Sequence, residues 1–326
     1  MRKLLVPVLL AALCGCARAP ELAEMARLES YAFAPASALE SRIGAVPAPV
    51  LEFFRAEDQR PDYAAYLPSP GEKQLLLDYL ALLPPEYEKV FKARCVGIYF
   101  IPGFIGNGVT NWVIGPENKV YFYIILNPAA FNSDLSETLT ERERSCFRPE
   151  PGWDVTVSAG RKYKGLLYAL AHEAAHGLDY AVGISPYTDD TMPEHFRPKQ
   201  NLARNFFGGV WQDYRLPLPA ADYPGRDKIT FYGLGGGPKL DISGALPLYK
   251  ALYAGQFVSL YGSRTWAEDL AELETFHFIT ERLRQPVRVR FVSPGGRYIM
   301  RPMDGKAADR AAVLRAFMEK INDAAL

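Results

Sequence analysis

The chain has 326 residues, 49% hydrophobic and 23% charged, which is enough for a large core in one or two domains and too apolar for a disordered chain. Lysine plus arginine and aspartate plus glutamate both number 37, so the basic excess that phosphate recognition needs is missing and no nucleic acid is expected as a partner. Aromatic residues at 13% and 26 prolines point to ordered loops rather than a coiled coil or a repeat array.

Residues 1–16 read MRKLLVPVLLAALCGC. Arg2 and Lys3 form a basic start, and the apolar stretch 4–13 is too short, and interrupted by Pro7, for a membrane-spanning helix. Its end, Leu13-Cys14-Gly15-Cys16, resembles the lipobox of bacterial lipoproteins. That resemblance implies cleavage before Cys16, acylation of Cys16 and attachment to a lipid bilayer. Ala17, rather than Asp, in the next position implies the outer membrane, facing the periplasm. An ordinary cleaved signal peptide is the other reading. Once Cys14 is removed and Cys16 acylated, Cys95 and Cys146 remain. A single pair in an oxidising compartment suggests one disulfide, with two separate buried thiols as the alternative.

Residues 17–50 are rich in Ala, Pro, Ser and Glu; a weak helix near 21–28 gives way to loop-like sequence through Pro47, Pro49 and Pro61. Ser69-Pro70-Gly71-Glu72 is a helix start, with Ser69 as N-cap and Glu72 three residues on. Leu75, Leu76, Tyr79, Leu80 and Leu83 form its apolar stripe, Pro84-Pro85 interrupt it, and 87–91 continue as helix. Residues 95–101, 109–114 and 120–126 (VYFYIIL) read as strands joined by Gly-rich turns, the last ending at Asn127-Pro128. A polar helix or loop spans 134–146, and a Pro-rich turn, EPGWD, follows. The best helix is 161–180, with Gly183 beyond its end. Residues 184–245 are loop-like, a length that suggests a segment covering or shaping a site. Helices at 249–260, 265–283 and 307–321 and strands at 287–292 and 298–301 complete the pattern.

The helix at 161–180 carries His172-Glu173-Ala174-Ala175-His176, an H-E-x-x-H motif. At about 100° per residue the two imidazoles lie about 40° apart on one face, so both can bind one zinc, with Glu173 beside them to activate a water. A third ligand is needed. His195 and His277 are the remaining imidazoles, and the helix WAEDLAELETFHFITERL also presents Glu268 and Glu272 at i,i+4. Like charges so placed repel, and a nearby cation would remove the penalty. Asp179 could either accept the second N–H of a ligand histidine or cap the helix end.

These two helices resemble those of the gluzincin metallopeptidases, particularly the catalytic domain of anthrax lethal factor and the bacterial titration-factor aminopeptidases. HEAAHGLD at 172–179 matches the family's metal helix, and AEDLAE at 267–272 matches its A-E-x-x-A-E pattern. The resemblance implies Glu268 as third zinc ligand and Glu272 as a carboxylate behind the ligands. It also implies that Tyr261, in a Tyr-Gly pair seven residues before the ligand Glu, donates to the developing oxyanion. The family's aromatic pair after that Glu is here Asp269-Leu270.

The expected fold is α+β and zincin-like: a small mixed sheet with an edge strand packed on the HExxH helix, and a second helix carrying the third ligand. The strand ending at Asn127-Pro128 is the expected substrate-holding edge. The expected organisation is a signal segment at 1–15, a lipid-anchored tether and N-terminal extension at 16–60, and a gluzincin-like domain at 61–326. Within that domain 184–245 is an insertion or cover. The function implied is hydrolysis of peptide bonds in the cell envelope by a monomer holding one Zn2+ and acting on a peptide or protein. Glu173 would be its general base. A non-catalytic zinc-containing envelope scaffold and a zinc hydrolase of cell-wall peptides are the alternatives.

Overall fold

The computed structural model describes residues 22–197 and 203–321. Residues 1–15 and the acylation site Cys16 lie outside the described residues. Helices run at α1 Ala48–Glu57, α2 Pro70–Leu80, α3 Pro85–Arg94, α4 Leu135–Arg144, α5 Gly165–Val182, α6 Arg204–Gly208, α7 Ala245–Ala254, α8 Trp266–His277 and α9 Lys306–Met318. Strands run at β1 Cys95–Phe100, β2 Gly108–Ile114, β3 Val120–Leu126, β4 Phe147–Arg148, β5 Asp154–Ser158, β6 Leu240–Asp241, β7 Arg288–Ser293 and β8 Gly296–Met300.

The first sheet has the order β1-β3-β2, with β1 parallel and β2 antiparallel to β3. It is the expected small mixed sheet. Its centre is β3, which explains the almost unbroken apolar run VYFYIIL: a strand buried on both faces has no polar side to show. Val120, Phe122, Ile124 and Leu126 join the large core shared with α3 and α5, while Tyr123 and Ile125 face a second core. Gly177 lets α5 lie close on this sheet, since a Cβ there would meet the Phe122 ring at 2.5 Å.

The edge is not the strand that the sequence suggested. The Asn127-Pro128 strand is β3, the middle of the sheet; the edge beside the HExxH helix is β2. Strand order is decided by pairings across the Gly-rich turns, which no single strand's composition reveals. Bridges from Ile43 and Tyr66 cover the far edge of β1, whereas on β2 Arg27 bridges at Ile114.

Residues 22–60 pack against the second face of this sheet, burying Met25, Tyr31, Val46, Val50, Leu51 and Phe54. Where loop-like sequence was expected, α1 forms. Pro47 occupies the N-cap position and Pro49 the first turn, where a missing N–H costs nothing, so the prolines start a helix rather than break one. A second sheet, β5-β7-β8, is antiparallel throughout and packs on α4. Its first strand lies directly after the EPGWD turn. Asp134 and Glu137 form a capping box that settles 135–144 as helix rather than loop. The helix at 265–283 is α8 followed by a π-helical turn over Phe278–Arg282.

The expected disulfide does not form. Cys95 and Cys146 are free, buried thiols; Cys95 donates to the Gly97 carbonyl at 3.5 Å and Cys146 to the Arg142 carbonyl at 3.7 Å. One opens β1 and the other follows α4, a separation that the number of sulfurs does not reveal. Burial pushes the Cys95 thiol up to about 12 and the Cys146 thiol well above its ordinary value.

Where α3, α8 and α9 meet, Arg315 is shared by Glu274, at 3.1 Å, and Glu86. Burial raises the Glu274 carboxyl from 4.5 to about 7; Arg315 opposes the rise, Glu86 adds to it, and Tyr87 lies beside the pair. The raised folded-state value means that the folded protein holds this proton more tightly than the unfolded chain. The contribution to stability is therefore fully present below pH 4.5 and is lost as pH rises through about 7. Melting temperatures across this window should fall less steeply for Glu274→Gln than for the unmodified protein. Parallel curves would show that Glu274 titrates normally.

Candidate metal centre

The metal helix is α5, held on β3 along one face and on α8 along the other. Its end is fixed by Gly183, which adopts a left-handed conformation and donates to the Asp179 carbonyl at 2.8 Å. The Asp179 side chain is buried, and its two oxygens accept from the Ile184 and Ser185 amides and the Ser185 and Thr188 hydroxyls. Of the two roles open to Asp179, its hydrogen bonds go to the helix end and not to an imidazole.

His172, His176 and Glu268 converge. His172 Nε2 lies 3.2 Å from His176 Nε2 and 3.0 Å from Glu268 Oε2, and His176 Nε2 lies 3.5 Å from the same oxygen. Ligand atoms at 2.0–2.1 Å around a tetrahedral zinc would be about 3.3 Å apart, so the spacing fits. Two further observations support a cation here. Glu268 Oε2 is buried without a hydrogen-bond partner, and the two imidazole Nε2 atoms turn toward each other at 3.2 Å beside that oxygen. Burial alone would lower the His172 pKa, but Glu268 and Glu272 outweigh it and raise it to about 10. Glu268, despite its burial, is pulled well below the carboxylate range by His176 and His172. The donor set is built around positive charge.

Behind the ligands lies Glu272, fully buried. His172 Nδ1 is 3.0 Å from its Oε1, which fixes the tautomer and leaves Nε2 free for a metal. Tyr168 donates to Oε1 at 2.7 Å, while Ser259 at 2.5 Å and Arg142 at 2.7 Å donate to Oε2. Arg142 is itself buried and also pairs with Glu143 at 2.5 Å. Tyr168, Ser259 and Arg142 were not singled out in the sequence. Arg142 sits in the polar run ERERS, which reads as a solvated face, and only the packing of α4 on α5 places it inside.

Glu173 is buried and stands outside the three-ligand cluster. Thr110 on β2 donates to its Oε2 at 2.8 Å, and burial raises its pKa, with His172 and His176 opposing. Gly108 makes this approach possible: a Cβ there would lie 2.8 Å from the Ile125 carbonyl and 3.0 Å from Glu173 Cγ. Tyr261 packs its ring on His172 and Phe231 and lines the space on both sides of the ligands. His195 is exposed and lies in a separate cleft beside Arg197 and Tyr180; His277 lines a cavity with Glu274 and Arg315. Neither reaches the cluster.

Together the HExxH helix, the glutamate ligand on a second helix and the adjacent edge strand define a gluzincin-type zinc metallopeptidase site for one Zn2+. Protein-family models, curated proteins and solved structures provide no match to the chain, so the class is carried by the geometry of the site. Among the described residues no helix is long and apolar enough to cross a membrane.

Two substitutions separate holding the metal from holding the fold. Glu268→Gln removes a charged ligand and should cut zinc content after dialysis, with a small effect on the melting temperature of chelator-treated protein. Glu272→Gln leaves the ligands but removes one of the two carboxylate partners of buried Arg142, a loss of roughly 1.5–3 kcal/mol for a hydrogen bond to a charged group. It should lower that melting temperature by several degrees and weaken zinc binding by about 10- to 100-fold. Equal melting temperatures for the two variants would contradict this division.

Proposed function

We propose that the chain is a lipid-anchored peptidase of the bacterial cell envelope, attached through Cys16 to the outer membrane and facing the periplasm. In this reading the domain from residue 61 onward does the chemistry, and 184–245 covers the cleft. The HEAAHGLD and AEDLAE segments and the Tyr261-Gly262 pair support a kinship with the lethal-factor catalytic domain and the titration-factor aminopeptidases. The observation that carries the reading is the placement of Glu173 between the three-ligand cluster and the start of β2.

Zinc bound by His172, His176 and Glu268 would supply a Lewis acid for the peptide carbonyl and the attacking water. The protein's own residues do the rest. The β2 edge offers backbone groups to an extended peptide, which holds the scissile bond near Glu173. Thr110 fixes Glu173 through Oε2, and Oε1, which makes no hydrogen bond among the described residues, is left to take a proton from water and return it to the leaving amine. Desolvation raises the pKa of the partly buried Tyr261 further, so its phenol stays protonated as a donor. Its hydroxyl has no protein partner among the described residues, so it is available to the oxygen that gains negative charge.

Glu173→Gln keeps the shape but cannot carry the proton. It should retain zinc and fold while losing at least about 100-fold in turnover, within the range of general acid–base catalysis. Full activity on a peptide library with full zinc content would leave the site without its base. Tyr261→Phe removes only a hydroxyl. Loss of one oxyanion donor costs roughly 10²- to 10³-fold in comparable sites, so kcat should drop at least about tenfold with KM and zinc content little changed. An unchanged kcat would make Tyr261 a packing residue.

A further inference from the structure

The space around the metal ligands is electrically lopsided. Beyond the start of β2, at Ile105, Gly106 and Asn107, a cavity of about 290 Å³ is walled by Tyr232, Leu234 and Tyr261 and carries two guanidiniums, Arg215 and Arg264. On the other side a smaller cavity of about 170 Å³ is lined by Thr188, Tyr214 and Asp189 and has no lysine or arginine.

The arginines in and beside the larger cavity are not equivalent. Arg215 pairs with Asp190 at 2.7 Å, and neighbouring Arg226 pairs with Asp222 at 2.7 Å. Arg264 has no carboxylate partner among the described residues; its hydrogen bond is a single donation from Nη1 to the Ile229 carbonyl at 2.8 Å. Burial, together with Arg226 and Arg215, disfavours its charge. A partly buried guanidinium among other guanidiniums is costly unless an anion joins it, and the fork of remaining N–H groups matches a carboxylate. The protein's own nearby acids, Glu173 and Glu268, are committed to the metal centre.

Building on the peptidase reading, we propose that Arg264 binds a carboxylate of the substrate on the C-terminal side of the scissile bond. The side follows from the sheet. A peptide added antiparallel to β2, the somewhat more stable pairing, runs opposite to Gly108–Ile114 and so places its C-terminal half by Gly108 and the Arg264 cavity. The carboxylate is supplied by an acidic side chain in that half or by the free C-terminus, and Arg264 sets specificity.

The test uses full-length zinc-loaded protein and four short peptides: blocked and neutral, Glu in the C-terminal half, Glu in the N-terminal half, and neutral with a free C-terminus close to the cleaved bond. We expect kcat/KM at least about tenfold higher for the second or the fourth than for the first or third, mainly through KM. Which of the two responds identifies the source of the carboxylate. Arg264→Gln should erase the preference while still cleaving the neutral peptide, and Arg264→Lys should restore part of it. Melting temperature and zinc content show that both variants are folded. Equal cleavage of all four peptides, or a preference that survives Arg264→Gln, overturns the proposal. The same peptides are titrated by calorimetry into Glu173→Gln protein, where the preferred carboxylate should tighten binding at least about tenfold. If the unmodified protein cleaves nothing, the peptidase reading fails, and equal affinities in this titration then overturn the Arg264 proposal separately.

Discussion

Everything at the centre of this protein hangs on one buried carboxylate. Glu272 receives His172 from α5, Tyr168 from a turn earlier on the same helix, Arg142 from α4 and Ser259 from the loop before α8. No oxygen of it reaches solvent, so its charge is tolerable only while those donors stay in place. The same interaction orients the first imidazole, because a His172 whose Nδ1 is held can present only Nε2 forward. Metal geometry and the packing of three helices are thus one constraint. Gly262 belongs to it, since a Cβ there would lie 3.1 Å from the Glu272 Cβ and push the preceding loop off α8.

The sheet turns that rigid centre into a cleft. Because β3 is buried on both faces, the helices and the N-terminal segment clamp it from opposite sides, and β1 is covered along its outer edge. The stretch of β2 around Gly108 and Thr110 meets Glu173 of α5, and among the described residues no strand pairs with its outer edge there. An unpaired edge is normally a liability; here it lies along the metal ligands, with the 184–245 segment supplying Thr188, Tyr214, Tyr232 and Leu234 to the walls.

What the sequence revealed was local, and what it hid was long-range. The HEAAH spacing is legible because four residues on a helix return to the same face whatever else the chain does. Glu268 could be named only by resemblance, being 92 positions beyond His176 and one of several acids on its helix. The α1 helix was hidden by prolines that mark its start, and β2 was passed over as the edge because strand order is a property of pairings. Arg142 is the sharpest case. Nothing in ERER distinguishes the one arginine that is buried from the one that meets Asp154 at the surface.

Charge balance ties the centre to its chemistry. Glu143, Glu173, Glu268 and Glu272 bring four carboxylates into one buried region, and Arg142 supplies one fixed positive charge against them. A single proton on His172 corrects this only in part, which is why the two glutamates beside it hold that proton so firmly. A divalent cation brings the cluster to within one charge of neutrality. The remaining unit belongs to Glu173, the group tethered by a neutral hydroxyl instead of a guanidinium. A carboxylate left slightly uncompensated in a dry site has the greatest appetite for a proton. The arginine of this cluster, Arg142, is thus set on the carboxylates that stay charged and withheld from the one that must accept a proton.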